Sequence, residues 1–378
     1  MLLEKSFHKN KKQNAERREF LNYIAFIKFW AMNLIIRFHL KQPKPKLIDY
    51  GARMCEFLFI SSGFLVGYNY YKREMPATYY TSFKYAYKHL KSFYPIYIIK
   101  LIYKIYIYNR KFTLTDYEIL IFYILMARDY KRFPALKSCF SLIPWFINVL
   151  LYLYFLSPFL LVGIKSLKNS LIIFVFFAFA RLGTELLIRN GSLNIMEINF
   201  HHGTNIRLME FYLGMLMTPL FFKIKYFFDK IHNEIYLKYF FTFIQLIFPV
   251  TIYFIMLKYN NYLYRCHFVL ISCVCTFLIS FDYGYLSNIF KKKICKEIMS
   301  CQMEMYIIHI QLNKILSKIL KYHLIKNSEL IFLEKLGFIF IISYIYRKLF
   351  RDKLAKLMDK IVNIFKKIFI INFENYPN

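Results

Sequence analysis

Two basic side chains in the first apolar stretch point to the chemistry. Lys28 and His39 stand eleven residues apart, almost three helical turns, so a helix carries them on one face about 16 Å apart along its axis. A histidine with an unperturbed pKa of about 6.5 suits abstraction of a hydroxyl proton near neutral pH. A formal charge at the centre of a bilayer costs about 2.5–3.5 kcal/mol on insertion scales, so each ionisable residue in such a stretch is a candidate site residue. The plainer reading makes His39 an interfacial histidine and lets Lys28 snorkel to the headgroups. Glu56 and Ser62 in the second apolar stretch, Arg207 in RLMEFYLGMLM and His309 in YIIH extend the polar set, and together they are expected to line a substrate passage. A buried carboxylate needs a partner, and Lys28 is the candidate for Glu56. Lys84, Lys88 and Lys91 precede the third apolar stretch. Lys88 and Lys91, three residues apart, share a helical face and can hold the phosphates of a cytoplasmic donor, although the positive-inside rule alone also explains them.

The elements that must position these residues are membrane helices. Of the 378 residues, 58% are hydrophobic and 21% aromatic, which excludes a soluble globular domain. Apolar runs at roughly 20–40, 50–70, 90–108, 143–164, 169–188, 206–222, 237–257, 262–281, 299–320 and 329–349 predict an all-α polytopic membrane protein with about ten transmembrane helices in one bundle. An eleventh run, Tyr117 to Ala127, is only about 16 Å long as a helix, half the hydrocarbon thickness. If it does not cross, the basic N-terminus, the stretches Lys223–Lys238 and Lys291–Lys296 and the tail from Arg347 all fall on the cytoplasmic side. Residues 109–142 then form an external excursion, and both termini are cytoplasmic. No cleavable signal peptide is expected, because the start is polar and basic for too long. The reading gives a basic segment 1–19, a membrane domain 20–350 and a basic amphipathic tail 351–378, whose apolar residues at helical spacing predict an interfacial helix.

The net charge of +31 does not imply nucleic acid as a partner, because the Lys and Arg residues lie mainly between apolar runs, where anionic headgroups account for them. The seven cysteines show no CxxC spacing and His201–His202 have no further ligands, so no metal is expected. Arg181 and Glu185 form an i,i+4 pair of structural character.

In order along residues 20–350, these segments resemble the membrane-bound acyltransferase 3 family. Lys28-x10-His39 is similar to its R/K-x10-H signature, and EFLFISSGFL at 56–65 to its FFxxSGFL segment. Lys88-x-x-Lys91 with Pro95 resembles RxxR…P, and WFINVLLYLYFLSPFLL resembles its W-F/Y-L-S…P helix. Phe211 and Gly214 match F-x-x-G, and Tyr306 with His309 matches Y-x-x-H. The resemblance implies ten helices in a bacterial cytoplasmic (inner) membrane. It also implies O-acetyltransferase activity, taking an acyl group from acetyl-CoA or another acyl-CoA to a sugar hydroxyl of a cell-envelope glycan or its lipid-linked precursor. No bound cofactor is implied. His39 would be the catalytic base or acyl relay, Lys28 its companion, and Lys84, Lys88 and Lys91 the donor-binding residues. Three features depart from the family: lysines replace both arginines of RxxR and lose their bidentate geometry, Leu150 and Leu151 stand where many members carry glutamate, and no esterase-like domain follows. The rival readings are a glycan exporter or flippase that uses the same polar core, and a non-catalytic membrane scaffold.

Overall fold

The computed structural model describes residues 21–40, 48–71, 75–108, 145–190, 204–230, 234–258, 265–319 and 328–368. Among them every regular element is helical. In chain order these are α1 (Asn22–Leu40), α2 (Ile48–Tyr70), α3 (Tyr79–Leu90), α4 (Tyr94–Tyr108), α5 (Trp145–Leu160), α6 (Leu167–Arg189), α7 (Thr204–Leu216), α8 (Thr218–Phe228), α9 (Glu234–Lys258) and α10 (Arg265–Ile279). There follow α11 (Tyr285–Phe290), α12 (Lys293–Met299), α13 (Gln302–Ile319), α14 (Ser328–Tyr346) and α15 (Asp352–Ile368), with a π turn at Arg347–Arg351 before the last.

Each expected membrane stretch contains a helix, and among the described residues four segments are long and apolar enough to cross a bilayer: Asn22–Leu40, Trp145–Ile164, Leu167–Ile188 and Ile235–Ile252. The exposure pattern inverts that of a water-soluble fold. On α6, Ile172, Val175, Phe176 and Phe179 face outward while Arg181 and Glu185 are buried. On α9, Tyr239, Phe240, Phe243, Leu246, Val250 and Phe254 are exposed while Gln245 is buried. Contiguous apolar surface on this scale needs an apolar solvent, so this is a membrane protein. The short segment Tyr117–Ala127 lies outside the described residues.

The chain divides into two interleaved compact units. The first takes residues up to Ala31, Ala52–Pro76 and Phe159–Met299, and the second takes Met32–Gly51, Ala77–Pro158 and Ser300 onward.

In the first unit the sequence shows how helices tolerate prolines inside a bilayer. Pro249 cannot donate to the carbonyl of Gln245, and the Tyr23 hydroxyl donates to that freed oxygen instead. Pro219 breaks the expected 206–222 span at Met217, so α7 and α8 are separate helices. At that break the Leu216 carbonyl accepts from Ser170 at 2.5 Å. The start of α1 is capped from afar: Asp282, at φ 58°, takes hydrogen bonds from the Asn22 and Tyr23 backbone amides at 3.2 and 3.1 Å. Helices α2 and α7 cross at glycines. A Cβ on Gly63 would overlap the Phe211 carbonyl, and one on Gly214 would overlap that of Ile60. Gly67 faces Met215 and Thr218 in the same manner, so contacts advance together along both helices and the two run parallel.

In the second unit, Thr78 caps α3 by accepting from the Thr81 amide at 3.2 Å. The helix is held to α5 by rings: His89 stacks on Tyr154 with centroids 4.4 Å apart, and Phe83 meets Phe155 edge-on at 5.0 Å. The π turn is fixed to the start of α13, where Arg347 and Arg351 lie 3.5 and 3.6 Å from Glu304, and Arg347 donates to the Ser300 carbonyl.

Candidate functional site

Among its described residues the first unit buries six charges in apolar surroundings. Arg207 lies 2.5 Å from Glu210 and 3.8 Å from Glu56, Arg53 lies 3.7 Å from Glu56, and Arg181 lies 4.0 Å from Glu210. All five, with Glu185, are at most 2% exposed, and three cations face three anions. Such neutrality is what a dry interior requires, because an uncompensated ion there costs several kcal/mol. The sequence reading paired Glu56 with Lys28. The structure gives Glu56 the arginines of α2 and α7, and the Lys28 ammonium donates to the Ser62 hydroxyl at 3.0 Å. Arg181, expected to pair along its own helix with Glu185, also lies 4.0 Å from Glu210 on α7.

In the second unit α1 carries His39 against α13. The Nδ1 of His39 lies 2.7 Å from Nε2 of His309, with the rings nearly parallel at 7°. Nδ1 of His309 lies 2.6 Å from the carbonyl oxygen of its own Tyr306. A carbonyl only accepts, so this nitrogen carries hydrogen and donates. With both rings neutral, Nε2 of His309 is then the acceptor, and Nδ1–H of His39 donates to it. Nε2 of His39 is left with its lone pair on an exposed side chain, while His309 is 1% exposed. One backbone carbonyl therefore sets both tautomers and leaves the outer nitrogen of His39 as an acceptor. His309 is the eighth of the eighteen residues of α13, so the pair lies abreast of that helix's middle.

Lys100 was not singled out in the sequence. Its ammonium, on α4, donates to the Ile307 carbonyl at 2.7 Å, is 4% exposed, and acts electrostatically on both imidazoles. The rule applied to Lys28, that a charge inside an apolar run marks a site, applies equally to YIIKLIYKIY. On α5, Asn148 is buried and both of its amide atoms lack a hydrogen-bond partner.

The basic cluster is differently disposed. Lys84 and Lys88 are exposed on α3, and Lys91 is the residue capping that helix's C-terminus. Cations are favoured there by the helix dipole alone. Lys91 is already engaged: its ammonium donates to Asp359 of α15 at 2.8 Å, and the Tyr87 hydroxyl donates to the other oxygen of that carboxylate at 2.8 Å. These two bonds hold the Asp359 carboxyl below the ordinary carboxylate range, and burial followed by the Asp359 contact pushes the Tyr87 phenol up. His201, His202, Lys72 and Arg73 lie outside the described residues. Among the described residues no cluster of three His, Cys, Asp or Glu side chains could hold a metal.

No protein-family profile, no curated protein and no solved structure matches the chain.

Proposed function

We propose that the protein is a membrane O-acyltransferase that moves an acyl group, acetyl in the simplest case, from cytoplasmic acyl-CoA to a sugar hydroxyl of an envelope glycan or its lipid-linked precursor. The observation that carries this reading is the His39–His309 pair. Two motifs 270 residues apart in the chain, singled out by their order alone, meet at 2.7 Å with one imidazole nitrogen left as an acceptor. Two further motif pairs also meet: Lys28 with the Ser-Ser-Gly segment at Ser62, and that segment's Gly63 with Phe211 of F-x-x-G.

In the reaction Nε2 of His39 takes the proton of the acceptor hydroxyl, and the oxygen attacks the thioester carbonyl carbon. The imidazolium keeps its Nδ1–H bond to His309, so the positive charge is shared with a neutral ring oriented by the Tyr306 carbonyl. The buried Lys100 ammonium opposes the negative charge that develops on the carbonyl oxygen. Collapse breaks the C–S bond, and the thiolate recovers the proton from His39. Lys84, Lys88 and Lys91 serve the donor's phosphates, and Lys28 stands on the same helix as the base. Glu56 and Arg207 are locked together in the buried charge network of the first unit.

Ten crossings with both termini cytoplasmic support this arrangement by placing the basic cluster where CoA is. The parallel packing of α2 and α7 favours that count. With α4, α5 and α6 read as the crossings between them, an odd number lets the two run the same way. The capping of α1 by Asp282, just past the end of α10, favours it too, since it sets the start of one helix beside the end of the other.

The test is His39→Ala with mass measurement of the surface glycan. Acyl transfer requires that the acylated glycan disappears while unmodified glycan still reaches the surface. Failed export with acyl groups retained on the residual glycan would establish an exporter instead, and no change in either would leave a scaffold.

A further inference from the structure

The residue expected to hold donor phosphate is occupied by a residue of the chain itself. Lys91 and Tyr87, one turn apart on α3, direct two donors at one carboxylate, that of Asp359, each at 2.8 Å. Two donors converging on two oxygens of one anion is the geometry by which a phosphate is held. Lys84 and Lys88, exposed on the same helix, add positive potential without taking part in the contact. The carboxylate comes from α15, which also packs against α4 and is anchored upstream where Arg347 and Arg351 meet Glu304. Beyond that anchor α15 exposes Leu357, Ile361 and Ile364 together with Lys353, Lys356 and Lys360, a surface suited to lie on a bilayer when the helix lets go.

We propose that Tyr87 and Lys91 form a phosphate-binding site, that Asp359 is its built-in competitor, and that an incoming phosphate displaces Asp359 and frees α15. The site takes a phosphate monoester, and the assignment of that phosphate to the acyl donor rests on the acyltransferase reading. The side chains of Lys91 and Asp359 are 34% and 39% exposed, so water screens the pair. A carboxylate brings one negative charge, whereas a phosphate monoester brings nearly two and has three acceptor oxygens. The incoming anion therefore wins the exchange once it is present.

The test uses the full chain in phosphatidylcholine nanodiscs with adenosine 3′,5′-bisphosphate as probe. Titration calorimetry is expected to show Asp359→Asn tightening the probe roughly twofold to fivefold, the range an exposed ion pair supports. Tyr87→Phe and Lys91→Gln weaken it, and Asp359→Asn adds nothing once Lys91→Gln is present. A second measurement keeps the mutated pair out of the experiment: spin labels at the exposed Tyr79 and Lys360 report the separation of α3 and α15, which lengthens on saturation with the probe. A separation unchanged by both the nucleotide and a phosphate-bearing lipid, an affinity indifferent to Asp359→Asn, or a gain that survives Lys91→Gln overturns the proposal. Repeating the distance measurement with phosphatidic acid, a lipid phosphate monoester, in place of the probe separates the two sources of phosphate. If the lipid lengthens it and the nucleotide does not, the phosphate site stands with a headgroup as occupant and the donor assignment falls.

Discussion

The crossing of α2 and α7 makes a prediction whose sign can be worked out from space alone. Gly63→Ala adds one carbon that would overlap the backbone carbonyl of Phe211. A side chain could rotate away, but a carbonyl in mid-helix cannot, so the helices must separate. Overpacking of this kind costs about 1–3 kcal/mol, and a rigid obstacle places it in the upper half of that range. Alanine is intrinsically the better helix former by about 0.5–1 kcal/mol, which leaves a net destabilisation of about 1–2 kcal/mol. Gly183→Ala on α6 is the control. Nothing lies within 4 Å of a Cβ there, so only the propensity gain remains and the protein should become more stable by about 0.5–1 kcal/mol. The two substitutions, chemically identical, should differ by about 2–3 kcal/mol in reversible unfolding from mixed micelles. Gly214→Ala should match Gly63→Ala. The double variant should cost less than the sum, because one widening of the crossing relieves both. A Gly63→Ala protein as stable as the Gly183→Ala protein would refute the close approach of the two helices, and with it their parallel packing.

Three other outcomes are expected. Arg207→Met leaves Glu56 and Glu210 with reduced compensation and should destabilise by about 3–5 kcal/mol, while Arg207→Met with Glu210→Met together recover part of the loss in the same unfolding assay. His309→Ala removes the acceptor that orients His39 and should lower kcat about a hundredfold with little change in the donor KM, and combining it with His39→Ala should cost no more than His39→Ala alone. Because the Asp359 carboxyl titrates below its ordinary value, docking of α15 gains from the charged form above that value and loses the gain as pH falls through the lowered one. Limited proteolysis of α15 should therefore be unchanged from about pH 8 to 5 and accelerate below about pH 4.

Much of the helical scaffold was legible because apolar runs of bilayer length need no tertiary context to be recognised. The boundaries that slipped have local causes. Pro219 split one expected span at Met217, and a π turn at Arg347 separated α14 from the tail. The pairing of His39 with His309 was not legible as a pair, since nothing in the spacing of two histidines 270 residues apart announces a contact. Each was found singly because ionisable groups are rare in apolar runs, and the same signal marks Lys100. The partner of Glu56 was misjudged for a related reason: a cation was sought on the preceding apolar stretch, whereas Arg53 lies one turn away on α2 and the crossing at Gly63 brings Arg207 from α7. Asp359 could not be anticipated, because one acidic residue on a lysine-rich amphipathic helix looks like solvated surface.

The contact between Arg53 and Glu56, one turn apart on α2, has a meaning in the order of synthesis. At roughly 5–20 residues per second, Arg207 leaves the ribosome roughly 8–30 s after Glu56. Throughout that interval α2 must enter the membrane with its carboxylate but without the cation that finally holds it. Arg53, 3.7 Å away on the same helix, is made before Glu56 and travels with it. A cation already on the same helix offsets the Glu56 charge as that stretch enters the lipid, before the α7 arginine arrives.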